Sequence, residues 1–181
     1  IGVHYLRTLD QAKAIMDAVK TAKQAVTIGS GFVSFEMCDM LRTAGLDVTI
    51  VMLEPYYWYP ILDEVSGRMV EDALTRGGVR IIRQAEVVEV FGGANVEGVV
   101  LKDATRIPCD LAMVGIGLCC MYDWMKGGGV AVERGILANE YLETNLPDVW
   151  TAGDAAEFQD IVLHERVMMG NWANAQMQGK T

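Results

Sequence analysis

Residues 25–36, AVTIGSGFVSFE, decide the fold of this chain, because an apolar run there meets a glycine-rich turn and then an amphipathic segment. The run predicts a buried strand, and the residues after the turn predict a helix. Gly29 permits a tight turn, and Gly31 lets the backbone approach a ligand without an intervening Cβ. Since N–H groups at the start of such a helix bind phosphate, we predict a dinucleotide-binding strand–turn–helix element.

The residues after this turn extend the pattern to a βαβ unit. Apolar residues recur at helical spacing up to Ala44, Gly45 ends the helix, and a continuous apolar strand follows at 48–53. Ser34 occupies the third small position of the turn, where glycine or alanine lets the helix pack closely on the strand. We therefore expect the Ser34 hydroxyl to loosen the turn.

Composition excludes several classes of function. The 181 residues are 51% hydrophobic and carry a formal net charge of -9, which disfavours binding to nucleic acid and to anionic membrane surfaces. No apolar run reaches the roughly 18 residues of a membrane-spanning helix. The four cysteines form no C-x-x-C pair and there are two histidines, so we predict no metal site and reduced thiols in a cytoplasmic protein.

The rest of the chain predicts an α/β fold. Thr8 and Gln11 form a capping box that starts a helix, and another helix fits 64–76. Strands are predicted at 79–82, in an antiparallel three-stranded meander at 86–91, 96–101 and 105–107, at 110–114 before a second glycine turn, and at 149–154; a helix begins at 172.

An aromatic loop, residues 55–60 (PYYWYP), follows the second strand of the βαβ unit. It is either a packed connection or a lid against an adenine or nicotinamide ring, since aromatic faces serve both roles. Sequence alone leaves both interpretations open.

The order of these motifs resembles the FAD/NAD(P)-dependent pyridine nucleotide-disulfide oxidoreductase superfamily, and within it the ferredoxin and rubredoxin reductase-like branch. The matching segments are 5–10, 29–36, 144–154 and 171–179. The resemblance implies a Rossmann-like NAD domain, a parallel sheet plus an antiparallel meander, inserted in a partial FAD-binding domain. The implied limits are 1–22 for a linker and the returning edge of the FAD domain, 23–120 for the NAD(P)-binding domain, and 121–181 for an incomplete second FAD segment.

The resemblance also implies which residues bind the two cofactors. For NAD they are Gly29, Ser30, Gly31, Phe32, Val33, Glu36, Glu54, Gly115, Ile116 and Gly117; for FAD they are Arg7, Gly153, Asp154 and Trp172. No catalytic side chain is expected, because the flavin carries the chemistry. Alternatively, Glu36 is a carboxylate stabilised by the helix dipole, and Trp172 is a core tryptophan.

Two further departures from the family pattern affect cofactor choice and redox chemistry. Met52 stands where the family has an acidic residue for the ribose, and Glu54, two positions later, substitutes only if the strand end shifts. No Lys or Arg lies between Arg42 and Arg68 to pair a 2′-phosphate, so we expect NADH rather than NADPH. Cys119-Cys120 replaces a turn of the family, and we interpret the pair as inert.

The implied reaction is hydride transfer from NADH to FAD, with electrons passing to a small ferredoxin- or rubredoxin-like protein. One alternative is a disulfide or peroxide reductase of the same superfamily, and another is a non-catalytic NAD-binding module. The resemblance further implies that this chain is an internal fragment of a longer flavoprotein. We therefore expect it to be inactive alone and to bind FAD poorly.

Overall fold

The computed structural model describes residues 1–118 and 121–180, and the chain divides into two compact units at 1–117 and 118–181. The Cys119-Cys120 pair, predicted to be inert, lies outside the described residues.

The first unit contains a five-stranded parallel sheet and a three-stranded antiparallel sheet, which confirms the predicted fold class. Its elements are β1 (Val3–His4), α1 (Leu9–Val19), β2 (Gln24–Ile28), α2 (Phe32–Thr43), β3 (Asp47–Val51), α3 (Glu64–Arg76), β4 (Val79–Ile82), β5 (Val87–Gly92), β6 (Val96–Leu101), β7 (Arg106–Pro108) and β8 (Leu111–Val114). The parallel sheet has the order β1-β8-β2-β3-β4, and the meander has the order β5-β6-β7.

Both faces of the parallel sheet are covered. Alternate strand residues such as Ala25, Ile50 and Leu111 pack with the helices in one apolar cluster. Their neighbours Val26 and Ala112 pack with the meander in a second cluster on the other face. This burial of both faces explains why β2, β3 and β8 are continuously apolar in sequence.

Strand order reverses at β2, whose neighbours are β3 on one side and β8 on the other. A crevice opens at the carboxyl ends of strands where the order reverses, and ligands of open α/β sheets bind there. The glycine-rich turn follows β2 directly, so the topology brings it to this crevice.

Residues 1–22 contribute β1 and α1 to the first unit. Val3 and His4 pair in parallel with Ala112 and Met113 of β8. The predicted capping box is confirmed, because Thr8 Oγ1 accepts a hydrogen bond from Gln11 N and the Gln11 side chain accepts one from Thr8 N.

The second unit contains α4 (Asp123–Lys126), β9 (Ile136–Ala138), β10 (Ala156–Gln159), β11 (Arg166–Val167) and α5 (Trp172–Gln178). The predicted strand at 149–154 is wrong. Trp150 forms a single bridge to Glu143, and a 3-10 turn occupies Gly153–Ala155. Thr144 N and Thr151 N donate to Val149 O and Leu142 O, so the segment folds back on 142–144 as a short hairpin-like loop.

A search of residues 1–118 and 121–180 finds neither a helix long and apolar enough to cross a bilayer nor a cluster of metal-ligating side chains.

Candidate nucleotide-binding site

The glycine-rich turn is held tightly against the end of β8. Gly29 has φ +101, and a Cβ added there would lie 2.5 Å from Gly115 O, so the position requires glycine. Gly29 N donates to Val51 O at 2.8 Å. Gly31 is the N-cap of α2, and an added Cβ would come no closer than 3.7 Å to Gly115 O, so the backbone is open on that side. The first turn of α2 therefore presents N–H groups as an anion site requires.

Ser34, which was expected to loosen this turn, instead makes a hydrogen bond to the end of β8. Its side chain is fully buried, and its hydroxyl donates to Gly115 O at 3.2 Å. The hydroxyl satisfies a carbonyl that follows β8 and joins it to the first turn of α2. A Cβ on Gly115 would overlap Ser34 Oγ, so Gly115 is matched to the serine.

A cavity of about 490 Å³ lies over the turn. Its lining includes seven of the ten residues predicted for NAD. The other lining residues include Leu53, three residues in or just after the aromatic loop (Trp58, Tyr59 and Ile61) and the segment 85–87 after β4. The lining residues are Ile28, Gly29, Ser30, Gly31, Val51, Leu53, Glu54, Trp58, Tyr59, Ile61, Ala85, Glu86, Val87, Gly115, Ile116 and Gly117. The glycine turn thus lies between a β8 side, formed by Gly115–Gly117, and a β3–β4 side, formed by Glu54 and 85–87.

Glu54 is the acidic residue that reaches the cavity. Met52 is 1% exposed and packs in the apolar cluster between the sheet and the helices. The position where the family has its acidic residue therefore faces the core in this chain. Glu54 lines the cavity, and its Oε2 is buried without a hydrogen-bond partner among the described residues. An unpaired buried carboxylate oxygen is costly, and a ligand hydroxyl would satisfy it.

The aromatic loop has one fully buried ring and two rings that line the cavity. Tyr57 is fully buried, and burial, the Cys38 thiol and the Glu54 carboxylate raise the pKa of its phenol. Trp58 and Tyr59 instead line the cavity. The Trp58 ring packs 4.9 Å from the Phe32 ring, which connects the loop to the start of α2.

Three residues predicted for NAD are absent from the cavity lining. Phe32 contacts the cavity residue Trp58, while Val33 is partly exposed on α2. Glu36 lies in the second turn of α2 and is exposed, and it lines a separate depression that includes Asp39 and Arg42. The structure therefore does not bring Glu36 together with the glycine turn.

The residues predicted for FAD are divided between the two units, with Arg7 exposed in the first. In the second, Gly153 has φ +72, and its N–H donates to Gln178 Oε1 at 2.7 Å. Asp154 is exposed, so its carboxylate can accept bonds from ligand hydroxyls. Trp172 begins α5 with 77% of its surface exposed, which excludes the core-tryptophan interpretation within this unit.

Cys38 and Cys109 are buried free thiols in the first unit. Burial raises the pKa of each thiol to about 11. Both therefore remain protonated at neutral pH and are poor nucleophiles.

The comparisons with known proteins agree with this geometry. The family model described as pyridine nucleotide-disulphide oxidoreductase matches residues 1–179. The chain belongs to this family. This membership confirms the resemblance inferred from the motifs.

Relatives of the ferredoxin reductase type are among the family members that the chain resembles. It is 31% identical over 180 residues to the NADH-dependent phenylglyoxylate dehydrogenase subunit epsilon of Aromatoleum evansii, covering 99% of this chain and 42% of that protein. It is 30% identical over 155 residues to the biphenyl dioxygenase system ferredoxin–NAD(+) reductase component of Paraburkholderia xenovorans. That match covers 86% of this chain and 38% of that protein.

Among solved structures, the covalent putidaredoxin reductase–putidaredoxin complex superposes with a TM-score of 0.92 at 26% identity, covering 99% of this chain and 44% of that one. The chain thus spans less than half the length of each of these proteins.

Sequence reasoning missed the segment 85–87 and the side chains of Leu53 and Ile61, which line the cavity. The segment 85–87 has no motif, since its position depends on backbone bonds from Gln84 N to Glu54 O and from Ala85 N to Met52 O. For Trp58 and Tyr59, the sequence signal was the pair of prolines that bounds the aromatic loop and marks it as a separate segment.

Proposed function

We propose that the chain is the nucleotide-binding part of an FAD-dependent oxidoreductase that transfers hydride from NADH to flavin and passes electrons to a small redox protein. The observation that carries the proposal is the cavity that joins the Gly29–Gly31 turn to Glu54 on one side and to Gly115–Gly117 on the other. Its volume of about 490 Å³ lies within the range of small-molecule sites.

In this proposal the chain binds and orients the dinucleotide. The N–H groups of the first turn of α2 hold the pyrophosphate, and Glu54 accepts bonds from the hydroxyls of the adenosine ribose. The adenine then lies along 85–87 and Trp58, while the nicotinamide lies along Gly115–Gly117. Phe32 and Val33 remain proposed contacts of the pyrophosphate, and Glu36 remains a proposed contact of the nicotinamide.

The charges of the cavity support NADH over NADPH. The described residues that line it include Glu54 and Glu86 but no lysine or arginine. A 2′-phosphate would therefore meet the unpaired Glu54 carboxylate without a cation in the lining to pair with it, whereas Glu86 is already paired with Lys102. The Aromatoleum evansii relative carries NADH in its own name, which supports the same preference.

Flavin, when bound, accepts a hydride and then releases electrons singly or in pairs. For this chain we propose that Asp154 binds hydroxyls of the FAD ribityl chain, that Gly153 allows close approach, and that Arg7 and Trp172 contact the flavin. The exposed Asp154 and Trp172 support these roles, because both are accessible to a ligand. Names of relatives that include ferredoxin and putidaredoxin support a small redox protein as acceptor.

We propose the domain limits given by the resemblance: 1–22 for a linker and the returning edge of the FAD domain, 23–120 for the NAD(P)-binding domain, and 121–181 for an incomplete second FAD segment. The boundary between the compact units at 117 and 118 supports the second limit within a few residues. Within 1–22, β1 pairs with β8, so the linker of this proposal adds an edge strand to the five-stranded sheet.

The experiment is purification of the full-length protein, followed by anaerobic addition of NADH while flavin absorbance is recorded. We expect bound flavin that NADH bleaches and that a small iron–sulfur protein reoxidises. Flavin-free protein that still binds NADH would instead support a non-catalytic module. Flavin that NADH does not reduce would contradict the proposed reaction.

A further inference from the structure

Glu71 is a buried anion whose hydrogen bonds reach beyond its own helix. Its side chain on α3 is 2% exposed. Oε1 accepts from the backbone N–H of Tyr57 at 3.1 Å. Oε2 accepts from Arg68 Nη1 at 2.9 Å and from Arg83 Nε at 2.8 Å, and Arg83 Nη2 lies 2.7 Å from the same oxygen in an ion pair. One carboxylate therefore joins the aromatic loop, α3 and the chain just after β4.

Two of these bonds lead to segments that line the cavity. Tyr57 directly precedes Trp58, which lines the cavity in a left-handed conformation with φ +57. Arg83 lies two residues before Ala85, the first residue of the wall segment 85–87. The third bond leads to Arg68, which is on α3 with Glu71 and is not among the cavity-lining residues.

The close approach of α3 to the aromatic loop supports the same connection. Gly67 lies one helical turn before Glu71, and a Cβ added there would be 2.7 Å from both Tyr56 Cδ2 and Tyr57 O. The loop is therefore held by backbone packing as well as by the Glu71 carboxylate.

We propose that Glu71 and Arg83 are positioning residues for the adenosine side of the nucleotide site. They act without touching the ligand, by fixing 85–87 and Trp58 at the separation that the adenosine needs. This inference rests on the proposed function, because it assumes that the cavity binds NADH.

Arg83 and Arg68 provide a matched pair for the test. Both donate to the same oxygen of Glu71, and their side chains are 41% and 40% exposed. Arg83→Met removes the side-chain link between Glu71 and the chain just before 85–87. Arg68→Met removes the ion pair with Glu71 and a further one with Glu64, both within α3. A purely structural role of the carboxylate predicts equal effects of the two substitutions on NADH affinity.

The experiment measures the NADH dissociation constant of this chain and of both variants, with urea midpoints recorded in parallel. We expect Arg83→Met to raise the constant about fivefold or more, and Arg68→Met to change it by less than about twofold. Amide hydrogen exchange at Gln84 and Ala85, without NADH, is expected to accelerate in the Arg83 variant only. Should Arg83→Met fail to fold, Arg83→Lys serves in its place, because it keeps the charge but loses the second donor.

Equal losses of affinity in the Arg83 and Arg68 variants, with a parent chain that binds NADH, would overturn this inference and leave the proposed function standing. A folded parent chain that does not bind NADH would overturn both.

Discussion

The hydroxyl of Ser34 donates a hydrogen bond to the carbonyl oxygen of Gly115, 3.2 Å away, across 81 residues of sequence. The bond joins the first turn of α2 to the turn after β8, so a single contact holds the glycine-rich turn and Gly115 together. An additional Cβ on Gly115 would occupy the position of Ser34 Oγ.

This contact predicts coupling between the two positions. Ser34→Ala is expected to lower the free energy of unfolding by about 1 kcal/mol, because it removes a bond to a partly buried carbonyl. Gly115→Ala is expected to cost more, since its Cβ overlaps the hydroxyl. The double variant should lose less free energy of unfolding than the two single variants lose together, because Ser34→Ala makes room for the new methyl group. Strictly additive losses in urea unfolding would show that the two residues do not interact.

Gly29 and Gly45 allow steric overlap to be separated from backbone strain. Gly29 has φ +101 and Gly45 has φ +91, but an added Cβ would lie 2.5 Å from Gly115 O in the first case and would contact nothing within 4 Å in the second. Gly29→Ala is therefore expected to weaken NADH binding at least about tenfold. Gly45→Ala should reduce stability through the unfavourable φ while leaving NADH affinity unchanged. Equal affinities of the two variants would contradict the assignment of the turn.

Glu54 is expected to discriminate against a 2′-phosphate. Glu54→Gln removes one negative charge from the cavity and keeps the shape of the side chain. The ratio of the NADPH to the NADH dissociation constant should fall about fivefold, which corresponds to a charge interaction of ~1 kcal/mol. Glu86→Gln is the control, because Lys102 Nζ already pairs that carboxylate at 2.7 Å. A ratio that is unchanged in Glu54→Gln would show that another feature sets the preference.

Two buried glutamates, one in each unit, are expected to make stability depend on pH. Burial alone would raise the pKa of Glu71, but hydrogen bonds from Arg83 and Arg68 outweigh it and lower the pKa below the usual 4.5. Burial would also raise the pKa of Glu157, but hydrogen bonds from Gly135 N–H and from Arg134 outweigh it and lower the pKa. A lowered folded-state pKa gives stability that is present above the unfolded value and is lost as pH falls through the folded value.

The melting temperature of the parent chain should therefore fall between about pH 5 and pH 3. Glu71→Gln and Glu157→Gln should each be less stable at neutral pH and lose less on acidification. The two differ in ligand binding: Glu71→Gln should weaken NADH affinity, whereas Glu157→Gln should not, because Glu157 belongs to the unit at 118–181. If the melting temperatures of the parent and of both variants fell equally on acidification, the roles of Glu71 and Glu157 in this pH dependence would be contradicted.

Local patterns were sufficient to predict most of the first unit. Apolar periodicity and the glycine stops place β2, α2 and β3, and the capping box places α1, because these signals depend on residues within a few positions of each other. The hydrogen bond of Ser34 could not be predicted from the sequence, since its partner Gly115 is distant in sequence and is identified only by strand order.

The remaining features depend on tertiary contacts that sequence patterns do not encode. The wall segment 85–87 is positioned by backbone bonds to the end of β3 and by Arg83. The 149–154 segment is apolar as a strand would be, but its backbone bonds to 142–144 turn it into a loop. Glu36 matches a family motif, yet its place in the second turn of α2 directs it to a different depression.

Mapping of NADH onto the backbone amides of this chain by heteronuclear NMR tests the central claim most directly. We predict saturable shifts that are largest at Gly29, Ser30 and Gly31, extend to 85–87 and Gly115–Gly117, and are weaker with NADPH at equal concentration. Shifts confined to other residues, or no shifts at saturating NADH, would contradict the assignment of this cavity as the nucleotide site.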